Sequence, residues 1–169
     1  MKALKKIART LLFLVVVIFL IGLWYKTRFS MDVAAERTIN DPSLSRKLVI
    51  ATQGSRFKDQ VTKTIVDHYA SDSVFIRVLD VSKLPEIDME EYEAMVLMHT
   101  WENWKPPIPV KTFMDNLDEK EQKKIVVLTT SGNGKYKMEN VDAITGESDL
   151  EQVPEFTKEI LAQLDPLLL

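Results

Sequence analysis

The sequence contains no cysteine, and this absence removes several kinds of chemistry. The chain cannot form disulfides or thiolate metal sites, and it has neither a cysteine nucleophile nor a cysteine that could carry a lipid. Histidine is nearly as rare, because His68 and His99 are the only two. A metal site would lack ligands, so we interpret His99, at the end of a predicted strand, as a hydrogen-bonded structural residue.

An excess of positive charge is missing as well. The chain has a formal net charge of −3, and residues 46–169 hold 15 Lys and Arg against 22 Asp and Glu. A domain of this charge does not follow a phosphate backbone nonspecifically, because nucleic acid is itself strongly negative. We therefore expect no nucleic-acid partner.

One long apolar run is present, near the N-terminus. Residues 7–25 form a stretch of 19 residues, which at about 1.5 Å per residue spans roughly 28 Å of a bilayer as a helix. Trp24 and Tyr25, at its end, fit the interfacial aromatic belt. We predict a transmembrane signal anchor within residues 1–28. A cleaved signal peptide has the same pattern, and residues 33–35 offer a small-residue cleavage site.

The charges around this run predict its orientation. The positive residues before the uncharged part of the run, residues 11–24, are Lys2, Lys5, Lys6 and Arg9, and those after it are Lys26, Arg28 and Arg37. The positive-inside rule therefore places the N-terminus in the cytoplasm. We expect a single-pass protein of the cell membrane, with the bilayer as a partner and the domain outside the cytoplasm. Residues 29–45 are polar and are interpreted as a tether.

Residues 46–169 alternate between strand and helix patterns. Predicted strands lie at residues 47–51, 74–79, 94–99, 125–130 and 141–144. Predicted helices follow Ser55, start at Pro109 and cover residues 154–164, each with one apolar face. The alternation predicts an α/β domain, an open parallel sheet with flanking helices. Ligands of such sheets bind beyond the carboxyl ends of the strands, which here carry the loops 52–56, 99–105 and 130–136.

Three segments resemble flavodoxins. The first is Thr-Gln-Gly-Ser at 52–55, and the last is Val-Leu-Thr-Thr-Ser-Gly at 127–132. The middle one is the strand at 92–97, which is followed in the sequence by the Trp-containing loop and the Pro-rich start of a helix. The resemblance covers about residues 46–166. It implies the strand order 2-1-3-4-5 and non-covalently bound flavin mononucleotide (FMN), which would serve electron transfer. Gly54 and Ser55 would hold the phosphate. Trp101 or Trp104 would face the flavin ring, and Tyr136 could face its other side.

The cofactor-binding residues that the resemblance implies are Thr52, Gln53, Gly54, Ser55, Arg56, Thr100, Trp101, Trp104, Thr130, Ser131, Gly132 and Tyr136. Two of them depart from the family, because Gln53 and Arg56 stand where flavodoxins have hydroxyl residues. Arg56 could compensate by binding phosphate in a bidentate manner, or it could indicate that no phosphate is bound. Two functions therefore stay open: a membrane-tethered flavin electron carrier, and a flavin-free interaction or scaffold module at the membrane.

No side chain is expected to act as a catalyst. Ser131 has no nucleophile-elbow pattern and no partner histidine, which argues against nucleophilic hydrolysis. Residues 142–148 resemble the threonine-linked flavin motif of membrane-bound electron carriers, but Glu147 and Leu150 depart from it, so we expect no covalent flavin. With FMN bound, a quinone or a redox protein near the membrane would be the natural partner, and the chain would be an electron-transfer flavoprotein or a quinone-type oxidoreductase.

Overall fold

The structure is a computed structural model that describes residues 2–29, 31–71 and 73–169. It contains two compact units, Met1–Ser30 and Met31–Leu169. The first is helix α1 (Lys2–Phe29). Its segment Lys5–Trp24 is long and apolar enough to cross a membrane, and its large apolar side chains are exposed. A signal sequence has the same properties. The predicted interfacial and flanking side chains of Tyr25, Lys26 and Arg28 lie outside the described residues.

The second unit is built on a six-stranded sheet. Its strands are β1 (Arg37–Ile39), β2 (Arg46–Thr52), β3 (Val74–Asp80), β4 (Ala94–Thr100), β5 (Ile125–Thr130) and β6 (Ala143–Gly146). Their spatial order is β1-β3-β2-β4-β5-β6. The last five strands in the chain are all parallel, and their order is the predicted 2-1-3-4-5. The α/β fold class is thus confirmed. The last strand lies two residues later than its predicted position.

Helices cover both faces of this sheet. They are α2 (Arg56–Tyr69), α3 (Ile108–Asn116), the short α4 (Glu119–Gln122) and α5 (Val153–Leu168). Helices α2 and α5 pack on one face, where the rings of Phe57 and Phe156 meet edge to face at 5.6 Å. Helix α3 packs on the other face with the 3₁₀ segments Val81–Glu86 and Met89–Glu91. Residues 94–99 of β4 are all buried, as their unbroken apolar pattern predicts.

Residues 31–39 pack against the sheet. Strand β1 pairs antiparallel with β3, Asp80 accepts a 2.8 Å hydrogen bond from the backbone of Ala34, and Glu36 forms an ion pair with Arg77 at 2.8 Å. Without β1, the backbone N–H and C=O groups on the outer edge of β3 would lack hydrogen-bond partners, and β1 supplies these partners. The first part of the segment that the sequence analysis interprets as a tether is therefore built into the compact unit.

Candidate functional site

The three loops at the carboxyl edge of the parallel strands meet through hydrogen bonds. Oε1 of Gln53 accepts a 2.7 Å bond from the backbone N–H of Thr100, which links the first loop to the second. The hydroxyls of Thr100 and Thr130 lie 2.7 Å apart, and the N–H of Trp101 donates to the carbonyl of Thr130 at 2.8 Å. These bonds bring Gln53, Thr100, Trp101 and Thr130 to one rim, as parallel-strand geometry requires.

Residues 31–34, which we name the strap, cross the first of these loops. The N–H of Asp32 donates to the carbonyl of Gly54 at 2.9 Å, and the N–H of Gly54 donates to the carbonyl of Asp32 at 2.6 Å. A Cβ atom at Gly54 would lie 2.9 Å from that carbonyl oxygen, which explains the glycine. The backbone N–H of Gly54 is therefore already used, and it is not free for an anion.

The end of this loop is organised as a helix cap. Ser55 is the N-cap of α2, and its hydroxyl accepts a 3.2 Å hydrogen bond from the N–H of Lys58. Thr52 is buried, and its hydroxyl donates to the carbonyl of Gln53 at 3.1 Å. Arg56 is exposed and lines a cavity of about 390 Å³ between α2 and the strap, together with Arg37 and Asp59.

Lys58 is the functional feature that the sequence analysis misses. Its side chain is fully buried, and its ammonium donates to the hydroxyl of Thr100 at 2.6 Å and lies 3.4 Å from Sδ of Met31. Burial lowers the pKa of Lys58 to about 8, although the negative charges of Glu102 and Asp59 act in the opposite direction. A charged residue beside Phe57 gives no sign of burial in the sequence. The signal is its place in the first helical turn, because helical side chains lean toward the N-terminus and reach the loop.

The two aromatic residues expected to enclose a flavin ring contact each other. Trp101 and Tyr136 stack with their ring centroids 5.3 Å apart and their planes at 19°. A third ring between them would need two van der Waals separations, about 7 Å in total. Trp104 does not join this pair. It is 79% exposed and has a left-handed backbone conformation, as does Asn103.

The third loop folds back on the end of β6. The N–H of Ser131 donates to the carbonyl of Gly146 at 3.1 Å, and its hydroxyl donates to Asn133 at 3.1 Å. Gly134 has a positive φ of 64°, and a Cβ there would lie 3.1 Å from the backbone of Gly146. A Cβ at Gly132 would meet nothing within 4 Å. Gly134, more than Gly132, is thus the glycine that this turn requires.

His99 has a partner on the neighbouring strand. It is fully buried, and its Nε2 lies 3.1 Å from the hydroxyl of Thr129. Burial, together with the smaller effect of the positive charge of Lys58, lowers the pKa of His99 to about 4. His99 is therefore neutral at physiological pH, with the hydrogen bond expected of a structural histidine. In residues 2–29, 31–71 and 73–169, no group of three or more His, Asp and Glu side chains is placed to hold a metal ion.

Comparisons with known proteins give a fold and no family. No protein-family model matches the chain, and no curated protein is similar to it. Among solved structures, the Flv1 flavodiiron core from Synechocystis sp. PCC6803 is similar at 10% identity and a TM-score of 0.51, covering 74% of this chain and 36% of that one.

Two further solved structures are similar at lower TM-scores. A flavodoxin from the domain Archaea has 14% identity and a TM-score of 0.47, covering 72% of this chain and 98% of that one. The general stress protein 14 from Treponema denticola, solved in complex with FMN, has 15% identity and a TM-score of 0.44, covering 72% and 99%. At these identities the similarity concerns the fold alone. The observed strand order, together with the similarity to the Flv1 flavodiiron core, shows that the domain has a flavodoxin-like fold.

The geometry of the site decides whether FMN fits. The three loops meet at one rim, as the resemblance to flavodoxins implies. The loop at Gly54 is closed by the strap, however, and the space between Trp101 and Tyr136 is too narrow for a ring. The residues present therefore do not accommodate FMN in this arrangement.

Proposed function

We propose that this chain is a flavodoxin-like interaction module that is held at a membrane by α1 and works without FMN. The observation that carries this proposal is the backbone pairing of Asp32 with Gly54. The N–H group at the turn, which would face an anionic cofactor, is used by the chain itself.

Two neighbouring features support the same conclusion. The direct stacking of Trp101 on Tyr136 covers one face of each ring without a ligand. The ammonium of Lys58 lies beneath the loop and is held by Thr100 and Met31, so this part of the site is filled by the protein's own side chains. A domain filled in this way needs no cofactor to complete its packing.

A flavin titration of the full chain tests this proposal. We expect the protein, purified in detergent micelles, to be colourless and to leave the fluorescence of added FMN unchanged at micromolar concentrations. A known flavodoxin, treated in parallel, should quench that fluorescence and controls for flavin lost during purification. A yellow preparation with about one FMN per chain, or saturable quenching, would contradict the proposal.

The membrane part of the proposal rests on α1. Its exposed apolar segment Lys5–Trp24 and the positive charges at the N-terminal end of α1 support an anchor with the N-terminus in the cytoplasm and the domain outside. A reporter that is active only outside the cytoplasm, fused after Leu169, should be active. N-terminal sequencing of the membrane fraction should recover residue 1 or 2. A silent reporter on a stable fusion would reverse the orientation, and a new N-terminus after residue 35 would show a cleaved signal sequence.

A second candidate function is an FMN electron carrier. The observation that favours it is the meeting of the three loops at one rim, with Trp101 and Tyr136 side by side. Gly54 and Ser55 would then hold the phosphate, and the two aromatic residues would move apart to hold the ring. Bound FMN supplies one- or two-electron redox chemistry, and a quinone or a redox protein would be its partner. The flavin titration separates this candidate from the first.

A further inference from the structure

The buried ammonium of Lys58 has no carboxylate in direct contact among the described residues, and the negative charges of Glu102 and Asp59 offset only part of the effect of burial on its pKa. Its side chain is 0% exposed, its one oxygen partner is the neutral hydroxyl of Thr100, and its other contact is the sulfur of Met31. Within the described ranges, no carboxylate forms an ion pair with it. A buried charge without a partner of opposite sign is strongly unfavourable. A negative group in direct contact with this ammonium would therefore be stabilised.

The sulfur of Met31 occupies the place where such a group would bind. Its Sδ lies 3.4 Å from Nζ of Lys58 and 3.6 Å from the hydroxyl of Thr100. A thioether is a weak hydrogen-bond acceptor, whereas an oxyanion accepts strong, charge-assisted bonds. The hydroxyl of Thr130, 2.7 Å from that of Thr100, can donate its hydrogen to Thr100, which leaves the hydrogen of Thr100 available for the anion. An oxygen of a small anion would thus be held more strongly than the sulfur.

We infer that Lys58, Thr100 and Thr130 form a binding site for a small oxyanion, a phosphate or carboxylate group, which the strap covers until the anion displaces Met31. This site goes beyond the proposed function and does not depend on FMN. A small oxyanion needs no space between Trp101 and Tyr136, so the closed ring stack does not block it.

The strap competes with the anion, and this competition can be changed by mutation. Closure of the strap lowers the apparent affinity for the anion, because only the open form binds it. Gly54→Ala loosens the strap, since the added Cβ would lie 2.9 Å from the carbonyl oxygen of Asp32. We expect the apparent affinity for phosphate to rise about tenfold, which corresponds to about 1.4 kcal/mol. Gly132→Ala is the matched control on the same rim, because its Cβ meets nothing within 4 Å.

The readout is the methyl group of Met31. Full-length protein in detergent micelles is labelled with ¹³C-methyl methionine, and Met31→Leu identifies the Met31 resonance. Inorganic phosphate, acetate and FMN are each titrated at constant ionic strength. We expect phosphate or acetate to shift the Met31 resonance saturably and to leave that of Met89, buried under the other face of the sheet, unchanged. Lys58→Gln, checked for native circular dichroism, should lose the saturable shift.

The possible outcomes separate this inference from the proposed function. An unchanged Met31 resonance in both the wild type and Gly54→Ala, with phosphate and with acetate, overturns the site without using a Lys58 variant. A saturable shift that persists in Lys58→Gln also overturns it, because the anion then binds elsewhere. A shift with phosphate and no binding of FMN supports both conclusions. A shift with phosphate together with saturable FMN binding keeps the oxyanion site and removes the flavin-free function.

Discussion

Asp32 and Gly54 exchange a pair of backbone hydrogen bonds, at 2.9 and 2.6 Å, across the turn that joins β2 to α2. The pair is possible because Gly54 has no side chain, and it fixes the strap over the loop. The consequence is that the loop expected to hold the cofactor phosphate is closed by the protein's own backbone.

The first prediction concerns the strap. Gly54→Ala should reduce the free energy of unfolding by about 1–3 kcal/mol, because two backbone hydrogen bonds are strained or lost. Amide hydrogen exchange should become faster at residues 31–36. Gly132→Ala should change stability by less than about 0.5 kcal/mol. Urea denaturation and hydrogen-exchange mass spectrometry measure the two effects. Equal exchange at residues 31–36 in both variants would show that Gly54 does not hold the strap.

The second prediction concerns Lys58 and pH. Burial lowers the pKa of Lys58 from 10.5 to about 8, so the folded state binds this proton less well than the unfolded state does. The resulting loss in the free energy of unfolding is fully present below about pH 8 and disappears as the pH rises toward 10.5. The pKa shift of Lys58 corresponds to about 3 kcal/mol. Wild-type stability should therefore gain from this group as the pH rises through that window. Lys58→Met should be more stable than the wild type at pH 7.

Urea denaturation between pH 7 and 10.5 measures the effect of Lys58→Met. The advantage of the variant should shrink as the pH rises, because the wild type then loses its buried charge. Lys63→Met is the control, since the side chain of Lys63 is 63% exposed and should show no such trend. If the free energies of unfolding of the wild type and of Lys58→Met changed in parallel with pH, the conclusion that Lys58 is buried as a charged group without an ion pair would be refuted.

The third prediction concerns the aromatic pair. A double-mutant cycle with Trp101→Ala and Tyr136→Ala should give a coupling energy of about 0.5–1.5 kcal/mol, the range for stacked aromatic rings. Tyr136→Phe should keep the coupling, because the stacking uses the ring and not the hydroxyl. A coupling near zero would indicate that the two rings separate in solution and leave the space between them open.

The sheet could be predicted because local patterns determine it. Residues 94–99 are apolar on both sides of the strand, which occurs when helices cover both faces, and β4 is the buried centre of the sheet. Apolar residues at every fourth position, Phe57, Val61 and Ile65, likewise predict helix α2, and Ser55 before them predicts its N-cap. These features depend on neighbours in the sequence, so the sequence alone is enough.

The contents of the site could not be predicted in the same way. Strand β1 is three residues long, and its sequence has no alternating pattern, since its pairing depends on the open edge of β3. The burial of Lys58 depends on Met31 and Thr100, which are distant in the sequence. The contact between Trp101 and Tyr136 depends on the path of two loops. Each of these features is a contact between residues that are far apart in the sequence, and local periodicity does not predict such contacts.

The buried Ala34 has a consequence for maturation of the chain. It is 8% exposed and is held by Asp80, yet it lies inside the small-residue motif at 33–35. A peptidase that cut there would remove both Met31 and Asp32, and with them the groups that close Gly54. The two interpretations of the N-terminus therefore predict two different mature domains. In a chain that keeps α1, the strap closes the loop at Gly54, whereas in a chain cut after residue 35 this loop is open.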